Sequence, residues 1–374
     1  MSKMLKRSLS VFNAALSKNT VFSLKENPRI KSWQVHSYGD LSELQLGTPR
    51  IPVIKHPDEV LVKVSAASLN PIDLLMLGGY GRTLFKIQRN FELELPLTLG
   101  RDFSGIVVAK GHRVGGKVNI GDEVYGFIPI HKQGSLAEII LADKDHILPK
   151  PKHLDYAQSA SLVYATMTAW SALFVFGNLL TKQTKGLRVL VLGASGGVGT
   201  AAVQLVSSQN CTVYATCSTD AVPLVQGLGA HKVFDYKDPD FEKHVEMEGR
   251  YHIVLDGAKV GYQNIPKSWR FDSYITLNSP LLLNTDKYGL MGGLAYSLSN
   301  LLDANFGQAN NGSSVKWGFF LPSRTGFEFI DKLIRKEKIQ PVIHKAFGFE
   351  DLPAAFKALA QGHLRGKIVV DYNK

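Results

Sequence analysis

The segment Arg188-Val-Leu-Val-Leu-Gly-Ala-Ser-Gly-Gly-Val-Gly199, continuing as Thr200-Ala-Ala-Val-Gln-Leu-Val206, decides how this chain is read. Val189 to Leu192 is an unbroken apolar run, as a strand buried on both faces requires. It stops at a glycine-rich turn and passes into helix-compatible residues. A parallel strand feeding a helix start leaves backbone N–H groups free, and these bind a pyrophosphate. Ala194, Gly196 and Gly199 fall on the i, i+2, i+5 spacing of the dinucleotide-binding fingerprint, with alanine at its first position. Ser195, Gly196, Gly197, Val198 and Gly199 are the candidate phosphate cradle. Such turns also arise from packing alone, so the surrounding chain has to decide.

Downstream of Pro151 the residues from Asp155 to Phe176 are alanine-rich and helical in character. Strands and helices then alternate over 188–193, 200–208, 211–217, 221–229, 232–235, 252–255 and 273–277. That alternation predicts βαβ units and a doubly wound parallel sheet of the Rossmann type. Gly326 to Lys338 reads as an amphipathic helix with Phe327, Phe329, Ile330, Leu333 and Ile334 on its apolar side. Leu352–Leu359 and Lys367–Asp371 add a last helix and strand. Upstream, residues 32–150 show short segments broken by turns, among them Glu59–Ser65, Gly105–Ala109, Gly121–Gly126 and Ala137–Ala142. They predict a β-rich domain, a partly open barrel, so the fold class is α/β with two unlike halves. Residues 281–316 break the alternation. Their apolar stretch contains Asp286 and Lys287, so it does not span a membrane. It reads as a helical hairpin over the cleft or along a membrane surface, or as a packed insertion or subunit contact. No internal repeat is present.

A chain of 374 residues, 45% hydrophobic and 20% charged, is long enough for two domains with their own cores. No apolar run approaches the roughly 18–20 residues that span a bilayer. Cys211 and Cys217 sit too far apart along one predicted strand for a disulfide and read as buried thiols in a reducing compartment. The net charge of +11 owes nearly half to Lys3, Lys6, Arg7, Lys18 and Lys25, which precede the first acid, Glu26. With Leu5, Leu9, Val11, Phe12 and Leu16 able to share one helix face, residues 1–28 read as a mitochondrial transit peptide or a disordered basic tail. What charge remains is modest, and no nucleic-acid-binding motif accompanies it.

Several motifs follow one another in a fixed order: Asn70-Pro-Ile-Asp73, Pro96-Leu-Thr-Leu-Gly-Arg-Asp-Phe-Ser-Gly105, Gly121-Asp-Glu-Val124, Gly134-Ser-Leu-Ala-Glu138 and the turn at 194–199. In this order the chain resembles the medium-chain dehydrogenase/reductase superfamily, in its zinc-free quinone oxidoreductase branch. The resemblance runs from about residue 32 to the end. It implies a GroES-like catalytic domain from residues 29–155 and 345–374, with a Rossmann domain from 156–344 inserted and the cofactor in the cleft between them. It also implies a mitochondrial setting, a link to ubiquinone synthesis, a homodimer and a reticulon-type protein partner. Zinc-dependent members use Gly-His-Glu where this chain has Gly100-Arg101-Asp102, and neither cysteine lies in that domain. No metal is expected. Without a Lewis acid, hydride addition to a quinone or an enone is less demanding than alcohol oxidation.

Cofactor choice follows from the second strand of the parallel sheet, which ends Thr216-Cys217-Ser218-Thr219. An NAD site places an acid there to bond the ribose 2′-OH, whereas hydroxyls leave room for a 2′-phosphate, so NADPH is expected. The basic residue often found just beyond is missing, with Ala221 and Val222 after Asp220. By resemblance Tyr236, His363, Leu364 and Arg365 help to hold the cofactor, and Gly318-Phe319-Phe320 passes its nicotinamide end. Asn70 is the candidate for orienting substrate or nicotinamide, because an amide both donates and accepts. Tyr80 and Tyr164 are candidates to hydrogen-bond the acceptor oxygen or deliver a proton. Asp73 is expected to fix the Asn-Pro turn. The rival reading is an NADPH-binding scaffold that acts through protein contacts.

Overall fold

A computed structural model describes residues 28–90, 93–116, 118–309 and 312–374. The leader expected over residues 1–28 lies, save for Pro28, outside them. The run Arg188–Leu192 forms an interior strand of a six-stranded sheet in the order Lys232–Asp235, Thr212–Cys217, Arg188–Leu192, Tyr251–Asp256, Phe271–Thr276, Ser314–Trp317. Every pairing in it is parallel. Successive side chains of a strand point to opposite faces, and Val189 and Val191 join one core cluster while Leu190 and Leu192 join another. Met167, Val203, Phe327 and Ile330 cover the first face; Val245, Trp269 and Ala304 cover the second. Helices on both faces explain why the strand is apolar throughout. Strand order reverses beside Arg188–Leu192, so the glycine turn sits at a topological switch point, where open α/β sheets bind ligands.

The second sheet has seven strands, ordered Ile343–Gly348, Lys367–Asp371, Glu59–Leu69, Asp102–Lys110, Glu123–Phe127 and Ile147–Pro149, with Ile139–Asp143 also paired to Glu59–Leu69. Leu44–Gly47, Ser32–Val35 and Leu97–Thr98 make a small third sheet. The tail strand therefore returns to the N-terminal half. Its antiparallel register sets Ile368 opposite Leu69, which places Lys367 beside Asn70. Between the sheets runs the helix Tyr156–Trp170, continued by a π-helical stretch Ser171–Phe176. Asp155 caps it, accepting from the Gln158 N–H at 2.7 Å, while Gln158 accepts from the Asp155 N–H at 3.0 Å. Residues 156–176 are long and apolar enough to cross a membrane by length and composition, but 89% of the apolar window is buried inside the protein. It is a core helix.

Residues 281–316 need a correction. Their last part is not outside the alternation, because Ser314–Trp317 is the sixth strand of the parallel sheet, four residues hidden behind a polar patch. Phe241–Met247 forms a further helix, outside the alternation expected from the sequence. Leu281–Ala309 is helical but breaks at Gly289, whose φ of 72° and ψ of 174° no helix contains. Asn284 donates to the Ser297 hydroxyl at 3.0 Å, although thirteen residues separate them. In one straight helix they would lie about 20 Å apart. The chain thus doubles back as a helical hairpin, and a Cβ on Gly293 would meet the Thr285 backbone at 2.4 Å. Its outer face leaves Leu283, Met291, Leu298 and Phe306 exposed.

Candidate active site

At the glycine turn the glycines answer to more than one cause. Gly193 has φ +74°, and a Cβ on Gly199 would stand 2.2 Å from the Gly193 carbonyl oxygen, so both are demanded by the tight strand-to-helix turn. A Cβ on Gly197 would meet the Lys367 side chain at 2.9 Å. Gly196 is different. It has φ −77°, and its nearest neighbour to a Cβ is 3.6 Å away, so nothing inside the protein requires glycine there. Helix Gly197–Ser207 starts immediately after it, with no side chain capping it. The N–H groups of Gly197, Val198 and Gly199 have no intrahelical partner by construction. Open space over unpaired donors fits an approaching pyrophosphate.

The tail closes on this turn. Gly366 donates to the Ser195 carbonyl at 2.8 Å and bridges Gly196. Its φ of +82° and a Cβ position 2.0 Å from the Val342 oxygen restrict the position to glycine. Arg365, one residue earlier, donates from Nη2 to the Ser218 hydroxyl at 2.8 Å and forks onto Asp220, Nη2 to Oδ2 at 2.7 Å and Nε to Oδ2 at 3.1 Å. The basic group missing after Asp220 in sequence is supplied in space by Arg365. Tyr236 lies at the same end, its N–H donating to the Cys217 carbonyl at 3.0 Å, its ring exposed. His363, with φ +53°, and Leu364 form the turn that presents Arg365. The thiols of Cys211 and Cys217 are free, and burial pushes both up to about 11.

Two residues beyond Arg365 the tail enters a dry network. The Lys367 ammonium, 7% exposed, donates to the Asn70 Oδ1 and, at 3.3 Å, to Asp102 Oδ2. Asp102 Oδ2 also accepts from Asn70 Nδ2 at 2.8 Å and Ser68 Oγ at 2.6 Å, and Oδ1 accepts from the Tyr164 N–H at 2.5 Å. Burial pulls the Lys367 ammonium below its ordinary value, and the nearby carboxylates oppose that. An ammonium only donates and a carboxylate only accepts, so the orientation of the Asn70 amide is fixed. Its oxygen accepts from Lys367, and one amide N–H has no partner among the described residues, so Asn70 keeps a donor for a substrate. Asp73 accepts from the N–H groups of Asn70 and Gly100, both at 2.8 Å, and faces the buried Arg101 at 3.7 Å. Burial raises the Asp73 carboxyl, while Arg101 and the two N–H donors counter it.

Tyr164 and Phe320 stack, ring centroids 4.1 Å apart and 4° from parallel, and Phe127 meets Phe320 edge-on at 5.2 Å. Burial holds the Tyr164 hydroxyl far above its ordinary value. Tyr80 is raised by burial and then by Asp286. Neither hydroxyl bonds to a described residue. Asp286 belongs to the hairpin and accepts from Gly81 N–H at 2.5 Å and Thr83 N–H at 2.9 Å, so the insertion fixes the segment that carries Tyr80. Gly318 is explained by packing, since a Cβ would press on Ala172, Ile275 and Leu277 at 3.0 to 3.1 Å.

The chain is similar to known proteins over most of its length. Residues 56–152 match the alcohol dehydrogenase GroES-like domain, and residues 228–370 match the zinc-binding dehydrogenase family. A Drosophila melanogaster protein named mitochondrial NAD(P)H oxidoreductase RTN4IP1 is 42% identical over 361 residues, 92% of this chain and 87% of that one. The chain belongs to the medium-chain dehydrogenase/reductase superfamily. A Caenorhabditis elegans member named mitochondrial reticulon-4-interacting protein 1 is 32% identical over 346 residues, covering 89% of this chain and 93% of its own. The solved quinone oxidoreductase from Coxiella burnetii superposes with a TM-score of 0.72 at 27% identity, over 92% of this chain and 99% of that one. The Arg101 guanidinium donates to the Thr98, Pro129 and Lys132 carbonyls and faces Asp73, while the Asp102 carboxylate accepts from Asn70, Ser68, Lys367 and the Tyr164 N–H. Lys367, Asp102, Asp220 and Asp286 were not singled out from sequence as site residues. Lys367 opens the expected last strand, but no local pattern announces a buried lysine.

Proposed function

We propose that this chain is an NADPH-dependent, zinc-independent reductase that passes hydride to a hydrophobic quinone or an α,β-unsaturated carbonyl. The observation that carries the reading is the tail, which sets a guanidinium beside Ser218 and a glycine against the open helix N-terminus. A dinucleotide with a 2′-phosphate suits these residues: Ser195 to Gly199 for the pyrophosphate, Ser218, Tyr236, His363, Leu364 and Arg365 for the adenosine end, Gly318 and Phe320 for the nicotinamide end. Bound there, a reduced nicotinamide supplies the hydride. The chain's own residues bind and orient. Tyr164 keeps its proton at any physiological pH, which makes it a hydrogen-bond donor to the acceptor oxygen and a weak acid; water delivers the proton. Asn70 offers its remaining N–H, and Tyr80 lines the mouth. In this reading residues 29–155 and 345–374 form the catalytic domain and 156–344 the cofactor domain.

The exposed apolar face of the hairpin, tied by Asp286 to the Tyr80 segment, supports access for lipophilic acceptors and contact with a membrane surface. The names of the relatives support a mitochondrial setting with residues 1–28 as presequence, a role in ubiquinone biosynthesis is the physiological expectation, and a homodimer is the assembly. The same names favour one rival, an NADPH-binding scaffold with a reticulon-type partner. NADPH consumption across a panel of quinones and enones separates the two. Acceptor-dependent turnover supports the reductase; tight NADPH binding with no turnover on any acceptor supports the scaffold.

A further inference from the structure

We propose that Asp220 is a built-in anionic competitor for the cofactor's 2′-phosphate and thereby sets how strongly the chain prefers NADPH over NADH. This rests on the NADPH reading above. Asp220 occupies both donors that a 2′-phosphate needs. It accepts from the Ser218 hydroxyl at 2.7 Å and takes a fork from Arg365 through both carboxylate oxygens. A phosphate is, like a carboxylate, an acceptor that suits a planar guanidinium fork, so the two anions compete for the same groups.

Arg365 is the fixed member of the pair. Its Nη1 donates to the His363 carbonyl at 3.1 Å and the Leu364 carbonyl at 3.4 Å, and its backbone N–H donates to His344 Nδ1 at 3.3 Å. Gly366 pins the next residue to Ser195. None of these contacts involves Asp220. The Asp220 side chain is 63% exposed against 26% for Arg365, and Ser218 and Arg365 are its side-chain partners. Asp220 is the partner that swings away. The Ser218 hydroxyl and Arg365 hold its carboxyl down to about 2, so its charge is present at every physiological pH. Displaced, it remains near Asp235, a second carboxylate, and near the incoming phosphate. Like charges at that range oppose phosphate binding. A ribose 2′-OH brings no such conflict, because it donates to a carboxylate that need not leave Arg365.

Titration calorimetry on the full chain with adenosine 2′,5′-bisphosphate and with 5′-AMP tests this. D220N and D220A should bind the bisphosphate about three- to fivefold more tightly, the size of an exposed charge contact, with 5′-AMP no tighter than in wild type. R365Q should weaken the bisphosphate roughly tenfold or more and leave 5′-AMP alone. Bisphosphate affinity that is unchanged or weaker in both Asp220 variants overturns the competitor role, as does equal tightening of both nucleotides. Wild-type chain that binds the two nucleotides equally well overturns the NADPH reading itself, so the two failures are distinguishable.

Discussion

Lys367 and Arg365 stand two residues apart on one tail, both cations, both reaching carboxylates far away in sequence. They do opposite work. Lys367 is 7% exposed and meets Asp102 in a network that also fixes Asn70 and the Tyr164 N–H. Arg365 is 26% exposed and meets Asp220, itself 63% exposed. In the dry network the charged partners are buried and paired, and the geometry cannot relax without leaving a charge alone. At the wet pair, water and other anions substitute easily. The difference teaches where this fold keeps rigidity and where it keeps exchange, within one short segment of chain.

The largest expected effect breaks the dry side. K367A leaves the Asp102 carboxylate buried without its cation and should cost about 3–5 kcal/mol in urea unfolding. R365Q, cut from the wet side, should stay within about 1 kcal/mol of wild type in the same experiment. Equal losses in the two variants would erase the comparison. A smaller effect comes from Y164F, which keeps the backbone N–H on Asp102 and deletes only the hydroxyl. It should lower kcat about ten- to a hundredfold while the KM for NADPH holds. A raised NADPH KM with unchanged kcat would show that the hydroxyl serves the cofactor instead.

Acid sharpens the same contrast most gently. Burial holds His131 down at about 4 and lowers His146 as well. Below the ordinary histidine value the unfolded chain takes up protons that the folded chain refuses. Stability should therefore fall as pH drops from about 6.5 toward 4. The Asp220 carboxylate, held near 2, stays ionised throughout that window. Denaturant midpoints measured across it should decline, while the wet ion pair survives. A midpoint flat down to pH 4 would contradict the burial assigned to these histidines.

How much of this was legible in the sequence depended on the range of the interaction. Val189 to Leu192 reads as a buried strand because each residue is apolar, and the glycine turn follows within a few positions. Ser314–Trp317 did not read as a strand, since its four residues include Ser314 and Lys316 and its partner lies 41 residues away at Ser273. The hairpin at Gly289 is visible only once Asn284 is seen to reach Ser297. No basic residue follows Asp220 in sequence, yet Arg365 reaches Ser218 across 147 positions. Asn70 could be named from its motif. That Lys367 and Asp102 fix the orientation of its amide depends on strand register, which no local pattern encodes.

The central claim is hydride transfer from cofactor to acceptor across this cleft. NADPH deuterated at the transferring position of its nicotinamide, turned over with an enone, tests it most directly. The account predicts a reduced product carrying one deuterium on carbon and a slowed rate when transfer limits turnover. Product without deuterium, or bound NADPH that is never oxidised, would contradict it.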